Sequence, residues 1–321
     1  MKTAVIVPNW NGERLLPVCL RALESQTVPP DEVLLVDNGS TDASVGAARA
    51  AFPGVRILEL QRNFGFGFAV NRGIENCQAD LILLLNNDTE ARPDWVAAVR
   101  AFFERQPDAA FCACKMLNYF DRAIVDGAGD CLNRAGIPYK IGSARLDGPA
   151  YSQHRKVFGA SGGACAFRRS FFDRVGMFDE RFFMYLEDVD LSLRAQLAGI
   201  ECHYLPDAVV YHMEASSDPE RTDNAANPQT PARVYWIARN RVLLLAKNFP
   251  ALLLLRYAPR ILWGFARSFG FHLWRSGHVN HYVRGLSHGL ALIPVVTGDR
   301  RAIRRSTVIT LRRLQELLGR C

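Results

Sequence analysis

Glu32–Asp42 reads EVLLVDNGSTD, and its two halves follow different rules. Glu32–Val36 is an almost continuous apolar run, the pattern of a strand buried on both faces of a parallel sheet. Asp37-Asn38-Gly39-Ser40-Thr41-Asp42 then supplies a turn and several candidate helix caps. The same alternation continues on both sides. Thr3–Pro8 is a β-rich run ending in Asn9, Asn11 and Gly12, and Glu13–Gln26 follows with Leu16, Leu20 and Leu23 at helical spacing. Val55–Leu60 predicts a third strand and Leu81–Leu85 a fourth, with a helix over Ala69–Asn76 between them. Strands and helices alternating at this spacing predict an α/β fold with an open, mostly parallel sheet flanked by helices.

Ligands of such sheets bind beyond the carboxyl ends of the strands, and here those ends carry polar residues. Pro8-Asn9, Asp37-Asn38, Asn63 and Asn86-Asn87-Asp88 follow strands one to four. A single Asn or Asp at such a place is ordinarily a turn residue; four in succession point to a site. The sequence has no GxGxxG after the first strand and no GxxxxGK[ST], which disfavours a dinucleotide-dependent dehydrogenase and a P-loop NTPase. The glycine-rich stretch NFGFGFAVNRG at Asn63–Gly73 permits close backbone approach, and the helix after it would face a diphosphate with its N-terminus. Asp88 ends the apolar run LILLLNND, where a carboxylate is costly unless neutralised. A divalent cation bridging nucleotide phosphates would neutralise it; capping of the Thr89-Glu90 turn is the plainer reading.

Gly159–Gly199 concentrates the remaining chemistry. Glu187, Asp188 and Asp190 gather three carboxylates within four residues. Val189, Leu193 and Leu197 recur at helical spacing before Gly199, which predicts a helix over about 189–198 with Asp188 at its N-cap. Asp188 is then either a cap or a general base placed to take a proton from an attacking hydroxyl. His212, in AVVYHME after a strand-like run, is either structural or a neutral imidazole completing the coordination of a metal at Asp88.

Taken together, VIVPNWNG, VLLVDNGSTD, NFGFGFAVNRG, LLLNNDTE and above all GMFDERFFMYLEDVDLSLRAQLAG resemble family 2 glycosyltransferases with the GT-A nucleotide-sugar-binding fold. The likeness covers about residues 3–247 and is to the rhamnosyltransferase-like subset of bacterial polysaccharide assembly. It implies transfer of a sugar from a nucleotide donor, UDP- or dTDP-linked, with inversion in one displacement, a divalent metal (Mg²⁺ or Mn²⁺) holding the diphosphate. By the resemblance, Asp37 recognises the base, with Pro8 and Asn9 on the same nucleoside wall, and Asn63 and Asn71 line the donor. Asn87-Asp88 falls at the metal-binding DXD motif, whose first aspartate is Asn86 here, leaving one fewer anionic ligand. Asp188 matches the catalytic base, with Glu187 beside it, and His212 matches a histidine metal ligand.

Composition separates the chain into two parts. The 321 residues are 49% hydrophobic and 22% charged, which excludes disordered and low-complexity classes. Residues 1–230 carry 23 basic and 30 acidic side chains, residues 231–321 carry 16 and 2, so the formal charges are −7 and +14. The division expected is a catalytic domain over 1–230, with a polar linker or mobile loop at 216–230, and a basic amphipathic helical region over 231–321. On Arg260–Arg275, Leu262, Phe265, Phe269 and Leu273 share one face opposite Arg260, Arg267 and Arg275. Arg301, Arg305 and Arg312 similarly oppose Ile303, Leu311, Leu314 and Leu318. With Trp263 and Trp274 nearby, such helices suit an anionic membrane surface; packing on a second subunit, in a homodimer, is the other reading. No nucleic-acid-binding module is apparent.

The longest stretch without Asp, Glu, Lys or Arg, Gly285–Gly298, is shorter than the roughly 20 residues a membrane-spanning helix needs. The N-terminus lacks the pattern of a signal peptide, and the eight cysteines form no CxxC, so reduced thiols are expected. The expectation is a cytoplasmic enzyme, peripheral on the inner face of the cell membrane, acting on a lipid-linked glycan. The rival readings are a sugar-1-phosphate nucleotidyltransferase, for which the basic glycine-rich N-terminal segment is missing, and a non-catalytic nucleotide-sugar-binding or membrane scaffold. Asp88, Glu187 and Asp188 weigh against the second.

Overall fold

The computed structural model describes residues 1–213 and 230–319, so all but the last residue of the polar stretch 216–230 lies outside the described residues. Strands β1 (Thr3–Asn9), β2 (Glu32–Asp37), β3 (Arg56–Glu59) and β4 (Leu81–Leu85) are parallel, with β1 between β2 and β4 and β3 beyond β2. Then come β5 (Thr89–Ala91), β6 (Phe111–Asn118), β7 (Ile124–Gly127), β8 (Asp130–Leu132) and β9 (Pro138–Lys140). They are followed by β10 (Arg145–Leu146), β11 (Arg155–Val157), β12 (Ala164–Arg168) and β13 (Cys202–His212). β12 inserts antiparallel between β4 and β6, and β13 runs parallel to β6 and antiparallel to β5. β8 and β9 form a separate antiparallel hairpin. The expected mostly parallel central sheet is therefore present, extended by antiparallel strands on its second side.

The helices are α1 (Leu16–Glu24), α2 (Ser44–Ala51), α3 (Phe66–Asn76), α4 (Trp95–Arg105), α5 (Arg169–Val175) and α6 (Glu187–Leu197). The C-terminal region adds α7 (Pro231–Asn248), α8 (Ala251–Phe271), α9 (Val279–Ala291), α10 (Thr297–Ser306) and α11 (Leu311–Leu317). Two starts differ from the sequence pattern. α3 begins three residues early, because Gly65 at φ 96° turns the chain directly into it. α6 begins at Glu187, so Asp188 stands in its first turn, and the cap is Leu186 in the left-handed region.

Period-two alternation explains why the sheet is covered on both faces. Ala4, Ile6, Ile82 and Leu84 point to α3 and α5, while Val5, Val7, Leu83 and Leu85 point to α1 and α4. A third core joins Val189, Leu193 and Leu197 of α6 to Leu243, Leu244, Phe249, Leu253, Tyr257 and Ile261 of the C-terminal helices. Buried charges reinforce it. Lys247 Nζ lies 2.7 Å from Asp179 Oδ2 and 2.8 Å from Asp190 Oδ2, and Asp190 also accepts from Arg194 Nε and Asn248 Nδ2.

The amphipathic reading of α8 is rotated. Its inward residues are Leu253, Tyr257, Ile261 and Gly264, whereas Leu262 is 67% exposed and Phe269 and Leu273 also face out. The small Gly264 lets the helix approach its neighbours, so the bulkier side chains turn to solvent alongside Arg260 and Arg267. No helix among the described residues is long and apolar enough to cross a membrane. Cys19, Cys77, Cys112, Cys114, Cys165 and Cys202 are buried free thiols, as expected; Cys131 departs from the expectation, being disulfide-bonded.

Candidate active site

The register Pro8↔Val36 and Asn9↔Asp37 sets the ends of β1 and β2 side by side. Asp37 is buried, and its Oδ1 accepts from Asn9 Nδ2 (2.8 Å) and Ser40 Oγ (2.6 Å), while Oδ2 accepts from Ser40 N (3.0 Å). Asn9 Oδ1 in turn accepts from Asn87 Nδ2 at 2.7 Å. Four candidates, Pro8, Asn9, Asp37 and Asn87, thus form one continuous wall across three strand ends. A Cβ at Gly12 would overlap Asn9 Oδ1 and Asn87 Nδ2. Gly12→Ala is therefore expected to part this pair and to cost about 1–3 kcal/mol in a urea titration; an unchanged midpoint would show that the loop absorbs the methyl group.

Asn63 borders the wall. Its Oδ1 accepts from Gly65 N (2.9 Å) and from Asn38 Nδ2 (3.0 Å), and Asn38 Oδ1 accepts from Phe64 N. Asn38, unassigned in the sequence reading, therefore shapes this loop. Asn71 is placed elsewhere. It is buried and exchanges both amide hydrogen bonds with Phe178, besides donating to Glu180 Oε1, so it clamps α3 to the loop before α6.

Loop 159–163 joins the two acidic segments. Gly162 N donates to Asp188 Oδ2 (2.9 Å), and the next residue's carbonyl, Gly163 O, accepts from Asn86 N (2.9 Å). Backbone groups of two adjacent residues thereby hold the end of β4 and the start of α6 on one loop. Burial raises the Asp188 carboxyl above the usual carboxylate range, against the hydrogen bond from Gly162. Burial, with the charge of Asp188 adding to it, raises Glu187 well above the usual carboxylate range. Its Oε2 is buried without a partner among the described residues.

The turn that delivers these two carboxylates is strained. Phe183, Tyr185 and Leu186 have φ of 62°, 67° and 68°, a region costly for side chains with a Cβ. Asn240, fully buried on α7, donates from Nδ2 to the carbonyls of Phe182, Met184 and Tyr185, each at 2.8 Å. Phe66 N adds a bond to Phe183 O at 2.6 Å. The surrounding contacts over-determine the turn, which is how such strain persists.

Asp88 faces His212 from the end of β13. Asp88 Oδ2 is 3.4 Å from His212 Nε2, and His212 Nδ1 is 3.0 Å from Asp126 Oδ2, which Lys140 Nζ meets at 2.7 Å. Burial opposes a charge on His212, but Asp88 and Asp126 outweigh it and lift the imidazole to about 9. Burial likewise opposes the Asp126 charge, yet His212 and Lys140 hold its carboxyl below the usual range. Burial, then the charge of Asp188, pushes Asp130 up to about 8. Asp126, Asp130 and Lys140 thus belong to the same acidic cluster as Asp88 and Asp188.

The residues fit a divalent cation in part. Asp88 Oδ1 is buried without a partner among the described residues, and the Asp126–His212 pair is the arrangement that orients a ligating imidazole. No group of three or more His, Cys, Asp or Glu side chains among the described residues is arranged around one metal position. A cation here would draw its remaining ligands from phosphate and water, as Mg²⁺ commonly does.

Residues 4–176 match the sequence model of Glycosyl transferase family 2. The N-acetylglucosaminyl-diphospho-decaprenol L-rhamnosyltransferase of Mycobacterium tuberculosis is 36% identical over 220 residues, covering 62% of this chain and 71% of that protein. Among solved structures, residues 1–349 of Staphylococcus aureus TarS in complex with UDP-GlcNAc superpose with a TM-score of 0.57 at 17% identity, over 99% of this chain and 90% of that one. The mannosyltransferase PcManGT of Pyrobaculum calidifontis, in complex with GDP-Man and Mn²⁺, gives 0.52 at 18% identity, over 95% and 85%. The structural likenesses establish the fold.

Proposed function

Because this chain belongs to glycosyl transferase family 2 and is a glycosyltransferase, we propose that it transfers a sugar from a nucleoside-diphosphate donor, with inversion, to a hydroxyl of a lipid-linked glycan. The donor is UDP- or dTDP-linked, and a deoxyhexose such as rhamnose as its sugar accords with the mycobacterial relative's name. The observation that supports this reading most is the pair of backbone groups at Gly162 and Gly163, which hold Asp188 and the Asn86–Asp88 segment on one loop.

In this mechanism Pro8, Asn9, Asp37, Asn63 and Asn87 seat the nucleotide. Asp188, a carboxylate of raised basicity, takes the proton of the acceptor hydroxyl as its oxygen forms a bond to the anomeric carbon. The bond from that carbon to the diphosphate breaks, and the leaving group departs with the electron pair. Glu187, its carboxyl raised by burial, stands beside Asp188 in the first turn of α6. Asp88 and His212 would hold a divalent cation, Mg²⁺ or Mn²⁺, which when bound supplies Lewis-acid stabilisation of the diphosphate. Asp126 keeps His212 oriented.

The catalytic part is residues 1–230, and the basic helices of 231–321 rest on the anionic cytoplasmic face of the cell membrane. Trp263 is 70% and Trp274 81% exposed beside the outward arginines of α8, which supports that contact. Incubation with labelled UDP-, dTDP- and GDP-sugars, a polyprenyl-diphosphate-linked sugar and Mg²⁺ or Mn²⁺ tests the proposal. Label is expected in the lipid fraction with one nucleoside diphosphate released per transfer; release of a nucleoside monophosphate or of free sugar alone would overturn it.

A further inference from the structure

A cleft of about 500 Å³ lies between the β8–β9 hairpin and α8. We infer that it receives the diphosphate of the lipid-linked acceptor, an inference that rests on the acceptor class proposed above. Arg134 comes from the hairpin turn, and Arg260 and Arg267 from α8, seven residues and so about two turns apart. The guanidinium carbons of Arg134 and Arg260 each stand 5.9 Å from the ring centroid of the buried Tyr257, so two charges from different elements converge on one ring. None of the ion pairs among the described residues includes these three arginines; the nearest in sequence join Lys140 to Asp126 and Lys247 to Asp179 and Asp190. Like charges gathered without a counter-charge favour an anion with several oxygens, and guanidinium groups bind phosphate oxygens in pairs.

The two ends of the cleft match the two ends of such an acceptor. Trp263 lines the cleft, and its exposed neighbour Leu262 shares the helix surface proposed to meet the membrane. At the other end, the hairpin leads back to Asp130 and Lys140 in the acidic cluster. From Asp130 to Asn133 is three residues of extended chain, about 10 Å, a gap that a sugar carried on the diphosphate would bridge. The cleft is also preformed. Arg241, buried on α7, donates to Ala135 O at 2.9 Å and stacks on Phe265 at 4.0 Å, fixing the hairpin turn. A Cβ at Gly264 would lie 3.4 Å from Ile137 Cδ1 and 2.6 Å from Arg241, so the lack of one lets helix and hairpin close on each other.

The test compares binding of the full chain to vesicles carrying a polyprenyl diphosphate with binding to phosphatidylglycerol vesicles of equal charge. The unmodified protein is expected to prefer the diphosphate vesicles about tenfold or more, and the Arg260→Gln/Arg267→Gln double variant to bind both alike. Arg134→Gln, from the opposite wall, is expected to reduce the preference independently, with thermal unfolding unchanged because the side chain is exposed. No preference in the unmodified protein, or a preference that survives both variants, overturns the inference. Inorganic pyrophosphate bound as tightly as the lipid would overturn the lipid as its source. Sugar transfer to a soluble acceptor is measured in parallel. If transfer is intact but the preference is absent, only the cleft assignment fails; if the preference is present but nothing is transferred to any acceptor, the transferase mechanism fails instead.

Discussion

Asp188→Asn is expected to lower kcat by about 10²–10⁴-fold while leaving the affinity for the donor nucleotide near that of the unmodified protein. The amide retains an oxygen to accept from Gly162 N, so the loop that ties α6 to β4 survives. What it loses is the capacity to take a proton. The pH profile supplies a second readout. Burial holds the Asp188 carboxyl above the ordinary carboxylate range, and the base works only when deprotonated. Turnover should therefore fall with acidification at a higher pH than an exposed aspartate would give, and this acid limb should vanish in whatever residual activity the variant keeps. Near-normal turnover in the variant would remove Asp188 from the mechanism. Loss of nucleotide binding in step with turnover would assign it to the donor pocket.

Lys247→Met carries the largest expected effect on stability. Lys247 and Asp190 are buried and Asp179 is partly buried, and the ammonium is shared between the two carboxylates. Removing it strands negative charge in the third core, at a cost of about 3–5 kcal/mol, read as a lower urea midpoint at neutral pH. Burial opposes ionisation of both carboxyls, but Arg181 and Lys247 at Asp179, and Lys247 and Arg194 at Asp190, hold them below their ordinary range. Groups depressed in the folded state contribute stability above their unfolded pKa of about 4 and lose it as pH falls through the folded value. The unmodified protein should therefore weaken markedly as the pH falls below about 4. The variant, lacking the leading cause of the depression at Asp190 and one of the two at Asp179, should weaken less over the same interval. A midpoint at neutral pH within experimental scatter of the original would show that α7 is held by its apolar face alone.

How much of this was legible depended on where each residue sat relative to a local pattern. The parallel strands and their polar ends could be read because apolar runs stop abruptly at Asn9, Asp37 and Asn86-Asn87-Asp88. Asp126, Asp130 and Lys140 gave no such signal. They lie on strands of three or four residues around glycines, where turn chemistry explains every residue, and only long-range pairing brings them to His212 and Asp188. Two acids spaced four apart at the end of VDGAGD, with a lysine ten residues on, were the only trace, and it is one that any hairpin would leave. Asn71 belongs to a stretch that resembles donor-lining segments, and its side chain bonds to Phe178, more than 100 residues away, a pairing no local pattern signals. The stripe read over 260–275 missed Leu253 and Tyr257, which precede it and with Ile261 and Gly264 set the inward face of α8.

The strained turn at 183–186 has a consequence for the order in which the protein is made. Every strand of the sheet, and Glu187 and Asp188 of α6, precede Asn240 in the chain, yet Asn240 is the side chain that bonds three carbonyls of that turn. A nascent chain emerges N-terminal end first, so the sheet can assemble while the turn is still without its anchor. A donor pocket would then exist before the catalytic carboxylates are set. On the proposed mechanism, competence arrives only with the helix that begins the basic region, so the ribosome never exposes an active transferase that lacks α7.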